Sequence, residues 1–104
     1  MEKRYSEMTE YELKQEIARL KEKARKAEQM GMINEYAVWE RKAAMAEAYL
    51  LDVNDFKAGE IYRLKEEPDT FFKVTHFRGV FAWGYRLGGD KREEAVPISL
   101  LKKS

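Results

Sequence analysis

The sequence predicts an α+β protein: an N-terminal antiparallel helical hairpin packed on a C-terminal small β-barrel. Three observations lead there. Gly occurs once before residue 54 and Pro never, whereas five Gly, both Pro and most of the Phe follow it, a shift from helix to strand chemistry. Before that point apolar residues recur at intervals of three and four. After it, short β-rich runs alternate with turn residues. These divide the chain into a hairpin over residues 1–54 and a barrel over 55–104. So small a barrel buries little surface alone, so the two are expected to form one cooperative unit.

The first helix announces its start. Thr9 and Glu12 have the spacing of a capping box, and Met8 and Leu13 that of a hydrophobic staple. Leu13, Ile17, Leu20, Ala24 and Ala27 then fall on one stripe. Gly31 is the expected stop, since it takes positive φ without strain.

Asn34 is the expected cap of a second helix running to about Leu51. Its apolar positions form two neighbouring arcs. One holds Ile33, Ala37, Ala44, Ala48 and Leu51; the other holds Tyr36, Trp39, Ala43, Ala46 and Leu50. The alanine-rich first arc predicts close approach of Leu20 and Ile17 over Ala44 and Ala48. That leaves the Trp39–Leu50 arc for the barrel, and Val38, Met45 and Tyr49 on the far side. A helix apolar in so many directions is buried on more than one face, which points to a homodimer. The stretch also resembles a tetratricopeptide helix pair, but a solenoid stacks several such pairs and one is present.

In the second half, "GEIYRL" (59–64) reads as a strand, "EEPDT" as a turn around Pro68, and "FFKVTHF" (71–77) as a β-rich run. Arg78 and Gly79 are the expected two-residue hairpin turn, with "VFAWGYRL" (80–87) as the partner strand. "GGDKR" is a loop, and "EEAVPISLL" (93–101) closes the barrel. A strand, then Pro97, then "ISLL" resembles the close of an SH3-like barrel, where a 3₁₀ turn leads into the last strand.

Alternation puts Phe81, Trp83, Tyr85 and Leu87 on one face of that strand and Val80, Ala82, Gly84 and Arg86 on the other. We expect Phe81, Trp83 and Leu87 to fill the barrel or meet the helices. The competing reading is an aromatic platform for a peptide or for bases. Tyr62 and Tyr85 are expected to show ring edges to water, their hydroxyls seeking partners. With Arg78 and Arg86 beside them, these four are the candidate partner-binding residues.

The formal net charge is +1, with ten Lys/Arg against eleven Asp/Glu in residues 1–54 and ten against eight in 55–104. A dedicated nucleic-acid binder carries a basic excess, so nucleic acid is not the favoured partner. Arg19, Lys23 and Lys26 share a helix face and are the candidate phosphate-contacting residues. The competing reading is a solvated face with Glu22–Lys26 and Arg25–Glu28 pairs. With no cysteine, disulfides, thiolate metal sites and cysteine nucleophiles are excluded. The N-terminus reads as no signal peptide and no run reaches the length of a membrane span, so we expect a cytoplasmic protein without membrane contact.

Catalytic and cofactor chemistry finds little footing. Glu40 and Glu47 lie seven residues apart beside apolar surface, where paired carboxylates act as acid and base or hold a cation. We expect them to pair with basic side chains instead. His76, the single histidine, reads as structural. Ser6, Ser99 and Ser104 lie in no nucleophile motif. "RLGGDK" lacks the phosphate-loop spacing and "GVFAWG" the dinucleotide one. We expect no catalytic residue, cofactor or metal.

The run "INEYAVWERK" with "AYLL", followed by "GEIYRL", "GVFAWGYR" and "EEAVPISLL", resembles the YfhH-like proteins of spore-forming Gram-positive bacteria over nearly the whole chain. The resemblance implies a helical hairpin joined to an SH3-like barrel and supplies no activity or site residue. The expectation that follows is a non-catalytic interaction module, binding a protein or peptide partner and self-associating through its helices. The alternative is a nucleic-acid accessory protein using the basic residues of the first helix and the barrel loops.

Overall fold

The computed structural model describes residues 3–103. Its contacts divide the chain into two units that meet in sequence between Leu50 and Leu51.

The first unit is the expected hairpin. Helix α1 spans Glu10–Gln29. The Thr9 hydroxyl accepts from the Glu12 N–H at 3.1 Å, and the Glu12 carboxylate accepts from the Thr9 N–H at 3.0 Å, so the capping box is complete. Met8 packs against the cluster that contains Leu13, as the staple spacing predicts. The helix stops where a backbone of positive φ is needed. Gly31 has φ +71°; its N–H bonds to Glu28 O, and the Met32 N–H to Ala27 O. That is a Schellman stop.

Helix α2 spans Ile33–Ala48 and corrects two expectations. Its N-cap is Met32, not Asn34, and no side chain caps it. The Schellman turn delivers the chain straight into helical geometry, so Asn34 already lies in the first turn. The helix also ends at Ala48 rather than near Leu51. The Tyr49 and Leu50 N–H groups bond to carbonyls three residues back, a tightened last turn.

The hairpin core does not follow the expected division between the arcs. Leu13 and Leu20 of α1 cluster with Ala43 and Ala46 of α2, with Tyr5, Met8, Ile17 and Trp39 packed around them. Trp39, Ala43 and Ala46 therefore face α1, while Leu50 of the same arc is exposed; of the other arc Ile33 is 78% exposed, but Ala44 and Ala48 are buried. Periodicity defines both arcs equally. The three-residue connection Met30–Met32 sets the rotation of α2, and so decides which residues turn back.

The second unit is a five-stranded antiparallel sheet in the order β4-β3-β2-β1-β5, curled into a half-barrel. The strands are β1 Ile61–Leu64, β2 Glu67–Arg78, β3 Phe81–Arg86, β4 Glu94–Pro97 and β5 Leu101–Lys102. As the ending "PISLL" predicts, a 3₁₀ turn over Ile98–Leu100 joins β4 to β5. The concave side is lined by Tyr62, Leu64, Phe72, Val74, Ala82, Val96 and Leu101, all buried. Burying a ring such as that of Phe72 contributes roughly 1.5–3 kcal/mol.

Two turns sit elsewhere than expected. Lys65 and Glu66 make the β1–β2 turn, and Pro68 lies inside β2. There Leu64 pairs with Glu67 but Arg63 with Phe71, so residues 68–70 bulge out of the ladder. A bulge is where a strand tolerates a residue without an N–H, and Arg63 donates to the Pro68 carbonyl at 2.9 Å. The β2–β3 turn is Gly79–Val80, one residue later than expected, with Arg78 paired to Phe81. Gly79 has φ +55°, which suits the first central position of a two-residue hairpin loop.

Candidate functional site

The convex face of the β2–β3 hairpin collects aromatic and basic side chains. On β3 the two sets defined by alternation are as expected, but their faces are exchanged. Ala82 and Gly84 are buried, whereas Phe81, Trp83 and Tyr85 are half-exposed and Leu87 is exposed. The expectation that Phe81, Trp83 and Leu87 fill the barrel is thereby corrected. The reason lies across the ladder. A Cβ on Gly84 would stand 1.9 Å from Lys73 O and 3.0 Å from Phe72 Cε2. The rings of Phe72 and Tyr62 already fill the concave side, so β3 contributes only small residues there.

One irregularity orients the site. Val74 pairs with Gly84 and His76 with Trp83, leaving Thr75 as an extra residue in β2. A bulge of this kind re-aims the side chain that follows it. Val74 is buried, yet His76, two residues on, is exposed. The His76 ring stacks on Trp83, centroids 6.0 Å apart and planes within 9°, inside the range of offset-stacked pairs. The Thr75 hydroxyl donates to Trp83 O at 3.0 Å and lies 2.9 Å from His76 Nδ1. A hydroxyl has one hydrogen. With that hydrogen given to the carbonyl, the Thr75 oxygen accepts from His76, which carries its proton on Nδ1.

Cations surround these rings. Lys73 stands opposite Tyr85 and Arg78 opposite Phe81, and Lys91 Nζ lies 5.9 Å from the Tyr85 centroid. Neither Lys73 nor Arg78 forms an ion pair among the described residues. The stretch from Phe71 to Gly89 contains no Asp or Glu, in a chain that has 19 of them. From Phe71 onward in β2 and throughout β3, no side chain carries negative charge.

The residues singled out from sequence fare differently. Tyr85 and Arg78 belong to this face. Tyr62 does not show its ring edge to water: it is 2% exposed, its hydroxyl accepts from the Lys57 N–H at 2.8 Å and donates to Glu60 at 3.2 Å. Burial pushes its phenol pKa up. Arg86 pairs with Phe72 on the opposite side of the sheet and bonds Glu94 and Glu67. The Glu94 carboxylate holds its guanidinium more firmly protonated than usual.

On α1, Arg19 grips Glu16 with two hydrogen bonds of 2.8 and 2.7 Å, and the Glu16 pKa is lowered chiefly by that contact. Lys23 Nζ lies 5.1 Å from the Trp39 centroid, with Lys42 Nζ at 5.0 Å. Of the three ridge residues, Lys26 alone has no such engagement among the described residues. Arg25 pairs with Glu22, not with Glu28. Glu40 and Glu47 share Lys21, whose Nζ lies 3.5 and 3.7 Å from their carboxylates, and Tyr36 donates to Glu40 at 3.3 Å. The structural pairing expected of them is present. Ser6 is exposed in a short 3₁₀ turn, Ser99 is buried, and Ser104 lies outside the described residues. Among the described residues no cluster of three or more His, Asp or Glu could hold a metal ion, and no helix is long and apolar enough to cross a membrane.

His76, Thr75 and Lys73 escaped the sequence reading as site residues. The signal that could have found them is the carboxylate-free run around them, in a chain otherwise dense in acids.

The model of a family described as "Protein of unknown function (DUF1811)" matches residues 3–102. The chain is similar to "Uncharacterized protein YfhH" of Bacillus subtilis (strain 168), 57% identical over 103 residues that cover 99% of this chain and 98% of the relative. Both agree with the resemblance carried by "INEYAVWERK" and "AYLL".

Proposed function

The chain belongs to the family of proteins of unknown function DUF1811, and we propose that it works by binding, as a small non-catalytic interaction module. One observation carries this reading: Phe81, Trp83 and Tyr85 form a half-exposed row on a regular sheet, where rings contribute most to association when a partner covers them. The engagement of Glu40 and Glu47 by Lys21 supports the non-catalytic reading, since an acid–base role needs those carboxylates open to a substrate. A protein or peptide partner is the reading that follows from the sequence alone. The unpaired Lys73 and Arg78 beside the rings favour a second one, a nucleic-acid partner.

Self-association through the helices is part of the proposal. Met30 is 74% exposed and Ile33 is 78% exposed where the two helices join, and Val38 is open on another face of α2, exposed apolar side chains of the kind that copies of one chain cover. A cytoplasmic site of action fits a sequence without cysteine. Capture from native lysate, with and without nuclease, tests the binding reading. Wild-type protein should retain material that Trp83→Ala does not, and equal retention by both would end it. Sedimentation at micromolar concentration tests the dimer, and a clean monomer removes it.

A further inference from the structure

We infer that the convex face of the β2–β3 hairpin binds single-stranded nucleic acid, bases stacking on the Trp83–His76 pair while Lys73 and Arg78 meet the flanking phosphates. The inference rests on the binding-module reading above and names its partner class. Single strands without sequence preference are held by two features together, aromatic faces for the bases and a positive track for the backbone. Both occur here on one pair of strands. The stacked rings of His76 and Trp83 are the faces. Lys73 lies toward one end of β2 from them and Arg78 toward the other, opposite Tyr85 and Phe81, which are four residues or about 13 Å of strand apart at ~3.3 Å per residue.

Charge complementarity selects this occupant. Residues 71–89 present no carboxylate that would repel phosphate. Lys73 and Arg78 have no ion-pair partner to give up among the described residues, unlike Arg86, which is held by Glu67 and Glu94. The earlier candidate for phosphate contact, the α1 ridge, lacks this readiness, since Arg19 is held by Glu16 and Lys23 lies on Trp39. A proline-rich peptide would use the rings and leave the cations idle. An acidic peptide would use the cations and leave the parallel rings idle. His76 adds a polar contact: with the Nδ1 proton given to Thr75, Nε2 remains as an acceptor for an N–H of a base edge.

Fluorescence anisotropy with the full chain tests this, using labelled mixed-sequence 12-nucleotide single-stranded DNA and RNA and a duplex of equal length. Single strands should bind more tightly than duplex. Neutralising two to three phosphates predicts roughly tenfold weaker binding between 50 and 200 mM salt. Trp83→Ala should weaken binding about tenfold or more. Lys73→Glu with Arg78→Glu, both at the surface, should do the same and flatten the salt dependence. Lys26→Glu should leave binding unchanged. No binding at 50 mM salt, duplex binding as tight as single-strand binding, or affinity that survives the double charge reversal would each overturn the inference. Competition by a 12-residue poly-glutamate as effective as unlabelled DNA would also overturn it. Retention from lysate that depends on Trp83 but resists nuclease would do so too, while leaving the binding-module reading intact.

Discussion

His76 lies parallel to Trp83 because Thr75 is one residue too many for the ladder, and the same Thr75 hydroxyl touches both partners, at Trp83 O and His76 Nδ1. Thr75→Val keeps the branched shape and removes the hydroxyl. It should cost about 1 kcal/mol and free the imidazole to change tautomer. Nitrogen-15 NMR of the ring reads this directly: Nδ1–H dominant in the neutral wild type, Nε2–H gaining in the variant. A wild-type spectrum dominated by Nε2–H would contradict the assigned hydrogen bond.

Gly84→Ala inserts a methyl 1.9 Å from a backbone oxygen, Lys73 O, and backbone cannot turn aside as a flexible side chain would. The cost should reach about 3 kcal/mol or more, seen as a large fall in the urea midpoint. A change under about 1 kcal/mol would mean that β2 and β3 are not so closely apposed.

Gly31→Ala provides a contrast. No atom lies within 4 Å of a Cβ there, but φ is +71°. The penalty is conformational alone, about 1–2 kcal/mol, and Gly31→Asn should lose less because Asn tolerates that region. Equal losses for both substitutions would assign the effect to something other than backbone conformation.

Acid should weaken α1 from its first turn. The Glu12 carboxyl is lowered below its ordinary value of 4.5, first by its hydrogen bond from the Thr9 N–H and then by Lys3. A lowered folded-state pKa means that the ionised form stabilises. The contribution is full above that ordinary value and is lost as pH falls through the lower folded value. Glu10 and Glu16 are shifted in the same direction, chiefly by Lys14 and Arg19. Glu12→Gln keeps an oxygen for the capping box but cannot titrate. Its melting temperature should lie below that of wild type at pH 7 and converge with it near pH 2. Thr9→Ala, by contrast, should cost about 1 kcal/mol at both pH values. A gap between wild type and Glu12→Gln that persists in acid would refute the linkage.

Two of the candidate site residues read from the sequence, Tyr85 and Arg78, belong to the convex face, and the row Phe81–Trp83–Tyr85 was legible as a set. Its orientation was not. Alternation assigns residues to two faces and is silent on which faces the core. Tyr62 was misread for the same reason, since nothing within "GEIYRL" tells whether its ring turns to the concave side. His76 was hidden because the Thr75 bulge breaks the alternation that would have placed it with Val74.

Readable from the residues alone are the features that a few chain neighbours settle among themselves. The Thr9–Glu12 cap, the stop at Gly31, the strand runs and the 3₁₀ turn after Pro97 all follow from bonds that reach only a few residues along the chain. Packing between elements chose among equivalent faces: which residues of α2 meet Leu13 and Leu20, and which side of β3 is buried. Those choices depend on volume across elements. Phe72 and Tyr62 fill the concave side, Gly84 yields to them, and the rings of Phe81, Trp83 and Tyr85 are turned outward as a result.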